Sequence, residues 1–267
     1  MLTETQQALM YLRGILPLLA AAGAYLFLRF RKEGRFYPLL IGAVMFLLIE
    51  IPRTVSVIAA VASRKSDSFL LRVLLTGIVT AVFDESARYF MHRLTMKKYD
   101  TLSDALCAGI GNACIALISC AVLQCTFYRH SADGCLSAGL LFTDVYEVIP
   151  EGGFPAELLA NGLETQGVLQ ALDFIFGGIC LLAFHMAMSA LIQITAQRTR
   201  ATHFVLLAML LHLFFHSMWA YCGTVFILPV TAAICYLVYR IRELHYRIEP
   251  DTIITIRMIF IPFDRTK

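Results

Sequence analysis

The chain alternates long apolar runs with short polar breaks. Seven runs, at roughly 11–30, 36–52, 69–91, 105–127, 168–194, 203–221 and 223–239, come close to the ~20 mostly apolar residues that a helix needs to cross a bilayer. The pattern predicts an all-α, polytopic membrane protein with about seven transmembrane helices. Gly223 separates the last two spans and leaves a very tight hairpin. The longest break, residues 128–167, is not uniformly polar. Its CLSAGLLFTDVYEVI reads as an interfacial amphipathic helix, and EGGFPAELLANGLE has turn signals followed by a short helix. A re-entrant half-span in this loop is the alternative.

Composition agrees with lipid as the main solvent. Hydrophobic residues make up 59% of the chain and charged residues 15%, against about 25% charged in soluble domains; the mean hydropathy is +0.72. No polar block is long enough to fold separately, so residues 1–267 read as a single integral membrane domain. A net charge of +3, with no basic block beyond short loops, argues against nucleic acid as a partner and for the lipid bilayer. The N-terminal MLTETQQALMYLRG has an acid before its first basic residue and lacks the short apolar core and small-residue site of a cleavable signal. Eight cysteines include no CxxC pair and no His/Cys zinc spacing. They read as small packing residues, with Cys125 and Cys135 flanking the long loop as the pair placed to bridge.

Loop charge gives an orientation, because Lys and Arg gather on the cytoplasmic side. Arg29, Arg31, Lys32 and Arg35 follow span one, and Arg93, Lys97 and Lys98 follow span three. Arg198 and Arg200 follow span five, and Arg240, Arg242 and Arg247 follow span seven. These sets share one side of a multi-pass plasma-membrane protein with its N-terminus outside and its C-terminus cytoplasmic. The 128–167 loop, with Asp133, Asp144, Glu147, Glu151, Glu157 and Glu164, then lies outside. Arg53, Arg64, Lys65 and Arg72, between spans two and three, run against this scheme.

Four polar groups interrupt the spans. An ionisable residue at membrane depth costs at least about 2.5 kcal/mol on insertion scales, so each marks a candidate site. In AVFDESARYFMHR, Arg88 is four residues from Asp84 and three from Glu85, within reach of either acid on a helix. The two acids point about 100° apart round the helix. One can therefore pair with Arg88 while the other faces a cavity and works as a base. His185 lies in LLAFHMAMSALI with Ser189 one turn later. His212 and His216, at i and i+4, suit either joint ligation of a metal ion or hydrogen bonding to a developing oxyanion. The pair lacks the internal Glu of the HExxH zinc-protease motif. Asn112 lies beside Gly109 and Gly111, which let another helix backbone approach. Intramembrane histidines and amides also serve as packing hydrogen bonders, and acid/His chains also serve proton relays and small transporters. Those readings stay open here, although the internal symmetry of a transporter is not evident.

Taken together, these groups resemble the YhfC family of intramembrane (metallo)peptidases, akin to the CAAX-processing and PrsW-like membrane proteases. The resemblance runs from about residue 70 to 240. VFDESARYF is similar to the family's F-E-E-x-x-R-Y element and AGIGNACIA to its G-I-G-H-G-G-I-E element. FHMAMSALI and LLAMLLHLFFH are similar to its later His-bearing spans. The resemblance implies a peptidase in which an acid of the pair Asp84/Glu85 activates water. Arg88 would hold that pair, and His185, His212 and Asn112 would complete the catalytic set. On the glutamate-base reading no cofactor is required; on the other, zinc or another divalent metal sits at His212 and His216. The implied substrate is a membrane-embedded or lipid-modified peptide. Asp84 stands where the family has Glu, Asn112 where it has His, Ala116 where it has an acid, and Gly177 and Gly178 where a charged pair is expected. A non-catalytic relative that binds such peptides without cutting them is the alternative.

Overall fold

Each apolar run forms a helix in the computed structural model, which describes residues 4–62, 69–131, 168–197, 203–222 and 224–247. The helices are α1 (Glu4–Arg31), α2 (Phe36–Ala62), α3 (Phe69–Phe90), α4 (Leu102–Ser131), α5 (Val168–Gln197), α6 (His203–Cys222) and α7 (Thr224–Arg247). A single π-helical turn, Met91–Thr95, prolongs α3. No strand occurs among the described residues, and the chain is an all-α membrane protein. The expected interfacial helix, the 128–167 loop beyond Ser131 and the Cys125–Cys135 pairing fall outside what is described.

Four helices contain windows long and apolar enough to cross a membrane by themselves: Gly14–Arg31, Phe36–Ser56, Ala171–Gln197 and His203–Ala220. Leu102–Ile118 of α4 is a shorter apolar stretch among the described residues. Two expected boundaries are corrected. α2 runs ten residues past the predicted end at 52, through Pro52, because Glu50 and Thr54 turn into the protein and are buried there. α7 runs to Arg247 instead of stopping near 239, because Arg242 packs inward and is only 4% exposed.

Side-chain pairs give the register of the bundle. Arg88 meets His185 and His92 meets Ser189, so α3 and its π-turn run parallel to α5 at a constant offset. Cys235 donates to the Ala183 carbonyl and Arg242 to that of Ala190, so α7 is also parallel to α5. The starts of α2 and α4 are tied where Arg35 Nε donates to Asp104 Oδ1 at 3.0 Å; that bond raises the Arg35 pKa and keeps the guanidinium charged. Thr101 caps α4: its hydroxyl accepts from the Asp104 backbone N–H and donates to the Asp104 carboxylate. The ends of α1, α3 and α5 thus meet the starts of α2 and α4 at one end of the molecule.

The innermost helix is α5. Its apolar window is 67% buried, against 17–22% for the windows of α1, α2 and α6. Leu19, Phe27, Phe30, Leu47, Leu48, Ile51, Leu206 and Leu210 stay exposed on the outer helices, as suits side chains that face lipid. Two glycine contacts bring α2, α4 and α5 close enough to build a site. A Cβ on Gly42 or on Gly111 would overlap the backbone across the α2–α4 contact, at Ala108 and Leu39 respectively. A Cβ on Gly109 would lie 2.6 Å from the His185 carbonyl oxygen of α5. Small residues at such crossings replace the hydrophobic driving force that lipid does not supply.

Candidate active site

Asp84, Glu85, Arg88, Asn112, His185 and His212 come from four helices and meet in one buried cluster; none is more than 5% exposed. Arg88 is its hub. One guanidinium nitrogen, Nη1, donates to Glu85 Oε1, and Nη2 lies 2.8 Å from His185 Nδ1. With the Asn112 amide oriented to satisfy both its atoms, Arg88 Nε donates to Asn112 Oδ1 at 3.2 Å, and the amide nitrogen donates to the Gly42 carbonyl at 2.6 Å. The close α2–α4 crossing at Gly42 is therefore what seats Asn112 beneath Arg88.

Donor and acceptor roles follow from chemistry. A guanidinium only donates, so His185 Nδ1 accepts and the ring proton of the neutral tautomer sits on Nε2. An ionised carboxylate only accepts, so His212 Nδ1 donates to Glu85 Oε1, at 2.8 Å. Glu85 thus has one oxygen gripped by Arg88 and His212. Its other oxygen, Oε2, is buried and has no hydrogen-bond partner. A buried carboxylate oxygen left so costs free energy unless water or a ligand meets it.

Asp84 is handled differently. Arg53 Nη1 of α2 donates to both of its oxygens, at 3.1 and 3.2 Å, and Arg53 Nη2 donates to Glu50. His212 Nε2 lies 3.8 Å from Asp84 Oδ2. Arg53 also lies over the Phe46 ring, 4.9 Å from its centroid. Phe46 and Phe184 both meet His185 edge-on, and Phe184 stacks on Phe215 with centroids 4.2 Å apart. These rings form an apolar wall behind the histidines.

Sequence reasoning missed Glu50 and Arg53. Arg53 read as a loop charge, but it belongs to α2 and reaches the acid pair. The available signal was the spacing of Glu50, Arg53 and Thr54, which share one helical face at the end of an apolar run. His92 was also missed, although it lies four residues after Arg88. His216 also faces α3, about two turns along that helix from the cluster: its Cδ2 is 3.4 Å from where a Gly77 Cβ would be.

A divalent cation does not fit the cluster as arranged. The Asp84 oxygens and Glu85 Oε1 are turned onto Arg53, Arg88 and His212, and the accepting nitrogen of His185 is turned onto Arg88, so each of these ligating atoms already faces a donor. Among the described residues, no three His, Cys, Asp or Glu side chains group closely enough to hold a metal ion.

The sequence model of a family described as YhfC intramembrane metalloprotease matches residues 15–235. Comparison with curated proteins and with solved structures gave no match.

Proposed function

Because the chain belongs to the YhfC intramembrane metalloprotease family, we propose that it is an intramembrane endopeptidase in which Glu85 is the base. The observation that carries this reading is the asymmetry of Glu85, with Oε1 held by two donors and Oε2 buried and unpartnered. A water molecule at Oε2 gives up its proton to Glu85 and attacks the carbonyl carbon of a peptide bond. Negative charge develops on the carbonyl oxygen, where the His185 Nε2–H and the Arg88 charge stabilise it. Collapse breaks the C–N bond, and Glu85 returns the proton to the leaving amine. Asn112 and His212 hold Arg88 and Glu85 in position, and Arg53 fixes Asp84. No step is routed through a metal ion. The substrate on this reading is a membrane-embedded or lipid-modified peptide, cut within a plasma-membrane protein whose N-terminus is outside.

A second reading has the same cluster hold a transmembrane peptide without cutting it, and the replacement of a proton-exchanging residue by Asn112 favours it. The test is a panel of membrane peptides offered to the purified protein and to Glu85→Gln. Cleavage by the wild type that disappears in the variant supports the peptidase; capture of uncut peptides by both supports the binder. Equal cleavage by both removes Glu85 as the base.

A further inference from the structure

Two turns along α3 from the cluster, a cavity of about 310 Å³ opens at the end of the bundle where α3 and α5 finish. Its rim carries the exposed Arg93, Lys97, Asp100 and Gln197, and its floor the buried His92 and Gln193. At about 30 Å³ per molecule, the volume suits on the order of ten waters. Charged and polar side chains share the lining with Met96, Tyr99 and Ala196.

The floor points at the buried site. His92 is seven residues after Glu85, so it lies about 10 Å along the axis and within about 20° of the same direction. Because α3 and α5 are parallel and in register, the Arg88–His185 contact is followed one turn later by the His92–Ser189 contact, with Nε2 and Oγ 3.0 Å apart. The next turn carries Met96 and Gln193, which line the cavity. Three successive polar or cavity-lining rungs therefore link the open end to Arg88. His92 is 4% exposed and Ser189 fully buried. The other ring nitrogen, His92 Nδ1, is buried without a hydrogen-bond partner, which is the mark of a group that meets water.

We propose that this cavity is the aqueous inlet of the buried site, and that the seam between His92 and Ser189 passes water from it to Glu85 Oε2. Hydrolysis consumes one water per bond cut, and the lipid-facing sides of the helices do not provide it. The inference rests on the hydrolase reading only for what the water is used for; the existence of the route is independent of it. His92 and Ser189 are positioning residues here.

The test is labelling of Ser189→Cys in membranes with a small, permanently charged methanethiosulfonate, resolved by site with mass spectrometry. The buried Cys180 and the exposed Cys222 are internal references. The Ser189→Cys thiol is expected to react faster than Cys180. Filling the cavity with Ala196→Trp, or with Gln197→Trp at the exposed rim, is expected to slow that reaction severalfold and to lower kcat for peptide cleavage severalfold at unchanged KM. A Ser189→Cys thiol as inert as Cys180, or one that reacts equally fast with the cavity filled, overturns the inlet. His92→Cys provides a second probe, with the same expectation, if Ser189→Cys does not fold. If the labelling behaves as expected but no peptide is cut, the peptidase reading fails while the inlet stands.

Discussion

Adjacent acids on one helix point about 100° apart, and here that angle sends Asp84 to Arg53 and Glu85 to Arg88 and His212. Only Glu85 keeps an uncommitted oxygen. Glu85→Gln should therefore lower peptide cleavage by about 10²- to 10⁴-fold, the usual share of a general base. Asp84→Asn, which leaves that oxygen untouched, should cost much less; equal losses in a side-by-side assay would mean that the acids act as a pair. Arg88 serves three partners in one plane, and an ammonium cannot reproduce that fork. Arg88→Lys should abolish cleavage and lower the thermal midpoint in detergent. Since the Asp84 carboxylate, Glu85 Oε1 and His185 Nδ1 are turned onto guanidinium groups or His212, and Glu85 Oε2 alone is left uncommitted, cleavage should persist in EDTA or phenanthroline. Loss of activity restored by zinc would show that the cluster rearranges around an ion. Six residues of this cluster were legible because each breaks an apolar run at a cost that lipid does not forgive. Which acid remains uncommitted was not legible, because it depends on Arg53, a side chain from another helix.

At the level of helices, lipid makes the elements easy to read and their ends hard. Seven runs predicted seven helices, since a backbone in hydrocarbon must satisfy its own hydrogen bonds. The ends of α2 and α7 were misplaced because Arg53 and Arg242 look like loop charges in sequence. Both instead find partners inside: Arg242 donates to the Ala190 carbonyl and to Gln193 Oε1. Gly109 and Gly111 were legible as close-approach residues, and Gly42 is the partner that sequence did not identify. The α2–α4 crossing can be tested through Gly42→Leu. The added side chain meets the α4 backbone at Ala108, and overpacking of this kind costs roughly 1–3 kcal/mol. The measured outcome should be a clear fall in the thermal midpoint, accompanied by loss of cleavage because Asn112 bonds the Gly42 carbonyl. Gly23→Leu, on exposed α1 with nothing within 4 Å of the new Cβ, should change neither. A fall of equal size at both positions would show that leucine itself, and not the crossing, is what the fold rejects.

The molecule as a whole has a charged end. Arg35 is tied to Asp104, Arg93 donates to the Ala196 carbonyl, and Gln197 donates to the Asp100 carbonyl. The basic sets after α1 and α3 thus lie together with the end of α5, as the two antiparallel crossings between one and the next require. Lys and Arg concentrated beside span ends favour the cytoplasmic side, and the inlet cavity is rimmed by Arg93 and Lys97 of the same end. Loop charge predicts that the Lys97–Lys98 turn and the C-terminus face the cytoplasm and that the N-terminus faces outward. A cysteine placed at Lys98 should react with an impermeant maleimide only in inside-out vesicles, and a cysteine at the N-terminus only in right-side-out vesicles. The two labels are expected to segregate, because the three helices α1–α3 lie between them. If both segregate in the reverse sense, the bundle is intact and charge has not set its direction, so the water for Glu85 would enter from outside. If both label from one face, a helix does not cross, and α3 is the first to examine because its charged residues are those of the site.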